Sequence, residues 1–238
     1  MNLSIVIPSY NEADRIGDSL KVILEFCRSE LDEWEIIVVD DGSSDGTSAV
    51  AASQGRVQCL RNAKNMGKGY SVRRGMLAAI HDPVLFTDAD LSTPIAEALA
   101  LCEALHSADI AIASRKAVPQ KTVSRKPHRK LMALVFRSLV KIIALRGVHD
   151  TQCGFKMFRR AAVQEVFPLQ TVERWGFDVE LLYIARKKQL RIVEVPVQWN
   201  EADSSRLGAA APMTMVVDLL RVRWNDLCGR YRAKSLRK

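Results

Sequence analysis

Val84-Leu85-Phe86-Thr87-Asp88-Ala89-Asp90-Leu91-Ser92-Thr93-Pro94 reads as a strand, a carboxylate pair and a helix start in immediate succession. Val84 to Thr87 is the short apolar run of a strand buried on both faces. Thr93 is predicted to cap a helix whose first residue is Pro94. Between them, Asp88 and Asp90 are one residue apart, so on extended backbone their side chains point the same way. Two neighbouring carboxylates repel unless a cation sits between them. Their hard oxygens suit Mg²⁺ or Mn²⁺, ions that usually also bind substrate phosphates.

The same rhythm extends on both sides of this stretch. Leu3 to Pro8, Glu35 to Val39, Val57 to Leu60 and Ile110 to Ala113 are further apolar strand runs. Asn11 is expected to cap a helix with Asp14 as capping partner, and Ile16, Leu20, Ile23, Leu24 and Cys27 form its apolar stripe. A small-residue helix runs to Gly55, and another follows the Asn65 to Gly69 turn as far as about Ile80. Alternating strands and helices predict an α/β fold, a doubly wound parallel sheet with helices on both faces. Ligands of such sheets sit beyond the carboxyl ends of the strands. Pro8 to Glu12, Asp40 to Asp45, Asp88 to Asp90 and Ser114-Arg115 each follow a strand, so four polar clusters are expected to converge on one crevice.

The second half differs. Arg115 to Lys130 reads as a basic loop and Leu131 to Leu145 as an amphipathic helix. Ile192 to Trp199 reads as a strand, Asn200 to Gly208 as a polar loop, and Met213 to about Arg232 as an arginine-rich helix. No domain boundary is evident, so residues 1–238 are expected to form one domain.

Composition narrows the partners. The chain has 238 residues with 35 Lys+Arg against 27 Asp+Glu, a formal charge of +8, which implies an anionic partner. The basic residues are not interleaved with aromatic stacking platforms, so no nucleic acid is expected. The five cysteines form no CxxC pair, which speaks for reduced thiols and against a zinc knuckle. No signal peptide is expected, and no run reaches the ~20 apolar residues of a membrane span. A calcium loop from Asp41 fails because its twelfth position is Ala52. Asp41 better suits a nucleobase or ribose, whose N–H and O–H groups need an acceptor. Gly67-Lys68-Gly69 is not a P-loop, yet a lysine at a helix N-terminus can meet a phosphate. Neither GxGxxG nor GxSxG is present, which argues against a standard dinucleotide binder and an α/β-hydrolase. No two of the four histidines have metal-ligand spacing.

Pro8-Ser9-Tyr10-Asn11-Glu12, Val39-Asp40-Asp41-Gly42-Ser43 and Asp88-Ala89-Asp90, in this order, resemble the inverting family-two glycosyltransferases of GT-A type. Asp150-Thr151-Gln152-Cys153-Gly154-Phe155-Lys156, the run from Glu173 through Trp175-Gly176-Phe177-Asp178 to Ala185, and Val197 to Glu201 resemble the dolichyl-phosphate β-glucosyltransferase branch. Ser205-Arg206 stands where that branch usually has Ser-Lys. Glu201-Ala202 stands where the mannosyl branch has Asp-Arg. The resemblance implies a GT-A, Rossmann-like, mostly parallel sheet. Residues 1–115 would bind the nucleotide sugar, and 116–238 would form an acceptor-side half with basic amphipathic helices.

Carried onto this sequence, the resemblance places Pro8, Tyr10, Glu12, Val39 and Asp41 at the nucleobase and ribose. Asp88, Ala89 and Asp90 fall at the diphosphate with Mg²⁺ or Mn²⁺ on the two aspartates. Arg115 falls at the diphosphate or the sugar and Arg206 at the donor phosphates; Lys68, from its place at a helix start, is expected to join them. The implied reaction moves a hexose from a UDP-sugar to a polyprenyl phosphate, with glucose favoured by the branch. A phosphate nucleophile is already anionic near neutrality, its second pKa being about 6, so a dedicated base is not required. Asp150 and Asp178 are the candidates if one exists. Arg125, Arg129 and Lys130, with Lys126, are placed at the acceptor phosphate, because arginine forks suit phosphate oxygens. The basic helices and the tail from Arg221 to Lys238 suit an anionic membrane surface. The expected location is cytoplasmic, peripheral to the cytoplasmic face of a membrane, with room for a separate anchoring subunit. Two alternatives compete: a soluble or polysaccharide acceptor, which leaves the donor half unchanged, and a sugar nucleotidyltransferase. The latter would usually carry a Gly-rich basic loop after the first strand, where this chain has Pro8 to Glu12.

Overall fold

The computed structural model describes residues 1–115, 148–200 and 211–232. Strands β1 (Leu3–Ser9), β2 (Trp34–Asp40), β3 (Val57–Arg61), β4 (Val84–Thr87), β5 (Ile110–Ser114), β6 (Phe155–Phe158) and β7 (Ile192–Pro196) make one sheet in the order β3-β2-β1-β4-β6-β5-β7. The strands β3, β2, β1 and β4 are mutually parallel, and β5 is parallel to β7. β6 lies between β4 and β5 and is antiparallel to both. The two reversals cancel, so β5 and β7 run in the same sense as β1. The sheet is therefore mostly parallel, as expected, with one inverted strand that the sequence reading lacked.

The helices are α1 (Ile16–Glu30), α2 (Thr47–Ala52), α3 (Lys68–Ala78), α4 (Ala98–Ala104), α5 (Arg160–Val166), α6 (Phe177–Lys187) and α7 (Ala211–Leu227). Strand side chains alternate between faces. Ile5, Ile7, Ile36, Val38, Leu85 and Met157 join one core with α1 and α4. Val6, Ile37, Val39, Phe86, Ile112 and Phe158 join the other with α3, α5, α6 and α7. Strands covered on both faces account for the unbroken apolar runs in the sequence.

Several local expectations are corrected. α1 starts at Ile16 rather than directly after Asn11, and Asn11 does not cap it. Asn11 has a left-handed φ of 54°, and its Oδ1 instead accepts the Ser44 amide at 3.0 Å. Pro94 stands at the cap position of a short 3₁₀ turn, Ile95–Glu97, while the Thr93 hydroxyl faces Cys153 Sγ. β7 ends at Pro196, short of Trp199. The last helix ends at Leu227 and is followed by a 3₁₀ turn at Arg230–Arg232. Helices α5 and α6 and strand β6 had not been predicted. All five cysteines are free thiols. The expected basic loop beyond Arg115, the Leu131 to Leu145 helix and the loop after Asn200 lie outside the described residues. So do Arg125, Lys126, Arg129, Lys130, Arg206 and the tail after Arg232.

Candidate active site

The topology dictates where the polar clusters meet. The carboxyl ends of β1, β2, β4, β5 and β7 all reach one edge of the sheet. Because β6 runs the opposite way, its beginning reaches that same edge, with Phe155 opposite Thr87 and Lys156 opposite Phe86. The reversal thus carries the Asp150 to Gly154 loop to Asp88.

Asp88 is partly open, with 37% of its side chain exposed. Its Oδ1 lies 2.5 Å from Lys68 Nζ, at the first residue of α3. Asp90 Oδ1 accepts the Ser92 amide at 3.0 Å. The turn carrying the pair is fastened from below, where Ser19 Oγ donates to the Ala89 carbonyl at 2.6 Å. Leu91 closes it in the left-handed region, φ 48°, unusual for a bulky side chain. Such a conformation persists only where its surroundings impose it, which is common at ligand sites. Gly154 packs directly on the Asp88 carboxylate, for a Cβ there would lie 2.1 Å from Oδ2.

Lys68 is set in place by Asp41. The buried Asp41 carboxylate accepts the Asn62 side-chain amide at 2.7 Å and the Met66 and Gly67 backbone amides at 2.9 and 2.8 Å. Gly67 has φ 106°, and a Cβ there would meet the Glu173 carbonyl at 2.4 Å, so only glycine fits the approach to α3. Burial opposes the charge on Lys68, but Asp88, followed by Asp178 and Asp90, outweighs it and holds the ammonium above its ordinary pKa. Its Nζ also lies 6.0 Å from the centre of the Trp175 ring.

Behind this pair lies a second one. Lys156 is fully buried, donates to the Cys153 carbonyl at 2.6 Å, forms a very short contact with Asp178, and stands 5.2 Å over the Phe86 ring. Burial pushes the Asp178 carboxyl above its usual pKa, and Lys156 and Lys68 offset that only in part. Arg115, at the end of β5, makes a bidentate pair with Asp150, Nε to Oδ2 and Nη2 to Oδ1 both at 2.7 Å. Burial raises the Asp150 pKa, but Arg115 more than reverses this and keeps the group ionised. Glu194 of β7 accepts the Asp150 amide at 2.8 Å, and the Trp199 ring lies 5.6 Å from the Arg115 guanidinium.

The structure therefore brings together Asp88, Ala89, Asp90, Lys68, Arg115, Asp150 and Asp178. Tyr10 lies at the strand edge, 43% exposed, and Glu12 pairs with Arg15 at 2.8 Å. Pro8 and Val39 are buried with their strands, so they offer this edge backbone rather than side chain. Lys156, Gly154 and Glu194 had not been singled out. A lone lysine in the apolar run Phe155-Lys156-Met157-Phe158 is the signal that could have found the first, since an uncompensated buried ammonium is prohibitive. Among the described residues no three His, Cys, Asp or Glu side chains cluster as a closed metal site.

Comparison with known proteins bears on the family and the fold. The family model described as glycosyl transferase family 2 matches residues 4–167. A Trichomonas vaginalis protein named dolichyl-phosphate beta-glucosyltransferase ALG5C is 38% identical over 92% of this chain and 70% of its own length. The human dolichyl-phosphate beta-glucosyltransferase is 35% identical over 99% of this chain and 79% of its own. Among solved structures, Mycobacterium tuberculosis glucosyl-3-phosphoglycerate synthase in complex with Mn²⁺, UDP and phosphoglyceric acid superimposes with a TM-score of 0.70 at 21% identity. That match covers 99% of this chain and 80% of the other. The chain belongs to glycosyl transferase family 2 and is similar, within it, to proteins named dolichyl-phosphate beta-glucosyltransferase.

Proposed function

We propose that this protein transfers glucose from UDP-glucose to a dolichyl-type polyprenyl phosphate, with inversion, at a membrane surface. The carrying observation is the open Asp88 carboxylate, paired with Lys68 at the strand edge where Asp90 and Arg115 also end. Carboxylates that can hold a divalent ion stand there beside cations that can meet a diphosphate. The names of relatives at 33–38% identity point to the acceptor class.

The anomeric carbon exchanges its bond to the β-phosphate oxygen of UDP for one to an acceptor phosphate oxygen, and UDP leaves with the bonding pair. Asp88 and Asp90 would hold a Mg²⁺ or Mn²⁺ ion, because both are partly exposed at the strand edge and offer the hard carboxylate oxygens such ions take. When bound, such an ion stabilises negative charge on the departing UDP. Lys68 and Arg115, with Arg206, hold the diphosphate. Tyr10 and Glu12 frame the nucleobase and ribose, Asp41 shapes that pocket from behind through its bonds to Asn62, Met66 and Gly67, and Pro8 and Val39 contribute through backbone. Asp150 and Asp178 serve as orienters, Asp150 holding Arg115 by a bidentate pair and Asp178 buried against the fully buried Lys156. Arg125, Arg129 and Lys130 receive the acceptor phosphate. Contact with the membrane is peripheral, on its cytoplasmic face, with or without an anchoring subunit. No helix among the described residues is long and apolar enough to cross a membrane.

The test is a panel of nucleotide sugars offered with a polyprenyl phosphate and a divalent ion, read by mass spectrometry of the lipid. A hexosylated lipid formed from UDP-glucose is expected. Transfer from another nucleotide sugar would overturn the choice of donor. Transfer only to a water-soluble acceptor such as phosphoglyceric acid would overturn the choice of acceptor.

A further inference from the structure

A surface helix ordinarily turns one apolar stripe to the core and a polar face to water. Helix α7 departs from this. Leu219, Val222 and Asn225 are buried, and the first two join the core. Val217, Leu220, Trp224 and Leu227 are 59%, 59%, 67% and 73% exposed. At 3.6 residues per turn, these four fall on one stripe, centred opposite the buried face. Cys228 extends the stripe, since its amide still bonds the Trp224 carbonyl at 2.9 Å and its side chain is exposed.

The exposed charges that α7 and the turn after it contribute around Val217 to Leu227 have one sign. Arg221 and Arg223 flank it, and Arg230 and Arg232 follow in the next turn, all exposed. The helix's two acids in this stretch face the protein instead. Asp218 accepts the Gly176 amide at 3.2 Å. Asp226 takes Lys187 at 3.0 Å together with the Tyr183 hydroxyl, and Arg223 also donates to that hydroxyl at 2.9 Å. The stripe begins beside the crevice. A Cβ on Gly176 would lie 2.4 Å from Asp218 Cβ, so α7 is pressed onto the residue next to Trp175, whose ring neighbours Lys68.

We infer that the outer face of α7 docks on an anionic lipid surface, with Val217, Leu220, Trp224 and Leu227 in the headgroup–acyl boundary and the arginines at the phosphates. Apolar side chains with a central tryptophan, rimmed by arginine and free of exposed acid, complement an anionic interface rather than water or a neutral protein surface. The inference deepens the lipid-acceptor reading, on which it rests for its purpose but not for its measurement.

The experiment is flotation with phosphatidylcholine vesicles, with and without phosphatidylserine, using the full chain without substrate. Wild type is expected to float with the anionic vesicles. Leu220→Glu combined with Trp224→Glu is expected to stay in solution, with unchanged melting temperature and unchanged UDP-glucose hydrolysis or transfer to a detergent-dispersed acceptor. Arg221→Gln and Arg230→Gln are each expected to weaken binding about fivefold. Brominated lipid should quench a fluorescence component that Trp224→Phe lacks. Wild type that fails to float, or a double variant that floats equally well, overturns the inference. Self-association that the double variant abolishes, without flotation, would assign the stripe to a second copy of the chain instead. Vesicle binding that persists in a protein unable to glucosylate polyprenyl phosphate would sink the proposed reaction and leave this inference standing.

Discussion

Replacing Gly154 by alanine separates the site from the fold. The added Cβ would lie 2.1, 2.5 and 2.8 Å from Oδ2, Cγ and Oδ1 of Asp88. Ordinary contact starts at 3.4 Å, so the nearest oxygen must retreat by about 1.3 Å, and a displacement near 1 Å in a catalytic group costs on the order of 100-fold. The atoms in the way belong to a side chain that is partly exposed and can move, so the fold can yield locally. Gly154 is also outside the left-handed region, and alanine there restricts the unfolded chain, which favours folding by up to about 1 kcal/mol. We therefore expect Gly154→Ala to keep its melting temperature within a few degrees while kcat/KM for glucose transfer falls about 100-fold. Gly75→Ala is the contrasting variant. Its Cβ would lie 2.4 Å from Val6 Cγ1 and 2.9 Å from Val39 Cγ2, inside the core. Overpacking of that kind costs about 1–3 kcal/mol, a loss of roughly 2–12 °C, with kcat/KM of the folded fraction retained. A folded Gly154→Ala protein with wild-type turnover would refute the assignment of Asp88, because its carboxylate could then move without consequence.

Other predictions address the supporting structure. Glu180 is fully buried and accepts from the Thr171 amide and hydroxyl, the Val172 amide and the Tyr231 hydroxyl at 2.6–2.9 Å. Glu180→Gln turns an amide donor toward donors and should cost about 3 kcal/mol, some 6–12 °C by calorimetry. Burial pushes the Cys27 thiol up to about 12, leaving about one thiolate in a thousand at pH 9, so thiol reagents should label the exposed Cys228 at once and Cys27 only after unfolding. Asp150 has its folded pKa depressed below 3.8, so its contribution to stability is complete above that value and disappears as pH falls through the folded pKa. Asp150→Asn should flatten the acid limb of a stability profile recorded below pH 4, and an unchanged limb would contradict the Arg115 pairing.

Much of the first half was legible because each signal is local. Strands buried on both faces read as continuous Ile, Val and Leu runs, and the turn residues after β2 and β4 stand in the sequence where the chain leaves the sheet. Helix starts were less legible. Asn11 and Thr93 are good caps by residue type, but each spends its side chain on a partner distant in sequence, Ser44 and Cys153 respectively. Tertiary contacts overrode local propensity at both places. Lys68 illustrates an intermediate case. Its position at a helix start was readable, whereas its partner Asp88 is twenty residues away and is reached only through the β1–β4 pairing.

The inverted strand explains the remaining gap and unites the two halves of the chemistry. β6 is four residues long and holds a lysine, so neither length nor alternation marks it as a strand in the sheet interior. Its lysine is tolerable only because Asp178, from the start of α6, meets it across the core face. A parallel strand in that place would have delivered its carboxyl end to the edge and buried Gly154 at the far side. Antiparallel pairing instead sets Gly154 against Asp88 and Lys156 beneath it, and leads the preceding loop to Arg115 through Asp150. One reversal in the middle of the sheet thus makes the charges of both halves parts of a single electrostatic unit. Asp88 sits between Lys68 from the first half and the Gly154 backbone from the second, so neither half could hold it in this position alone.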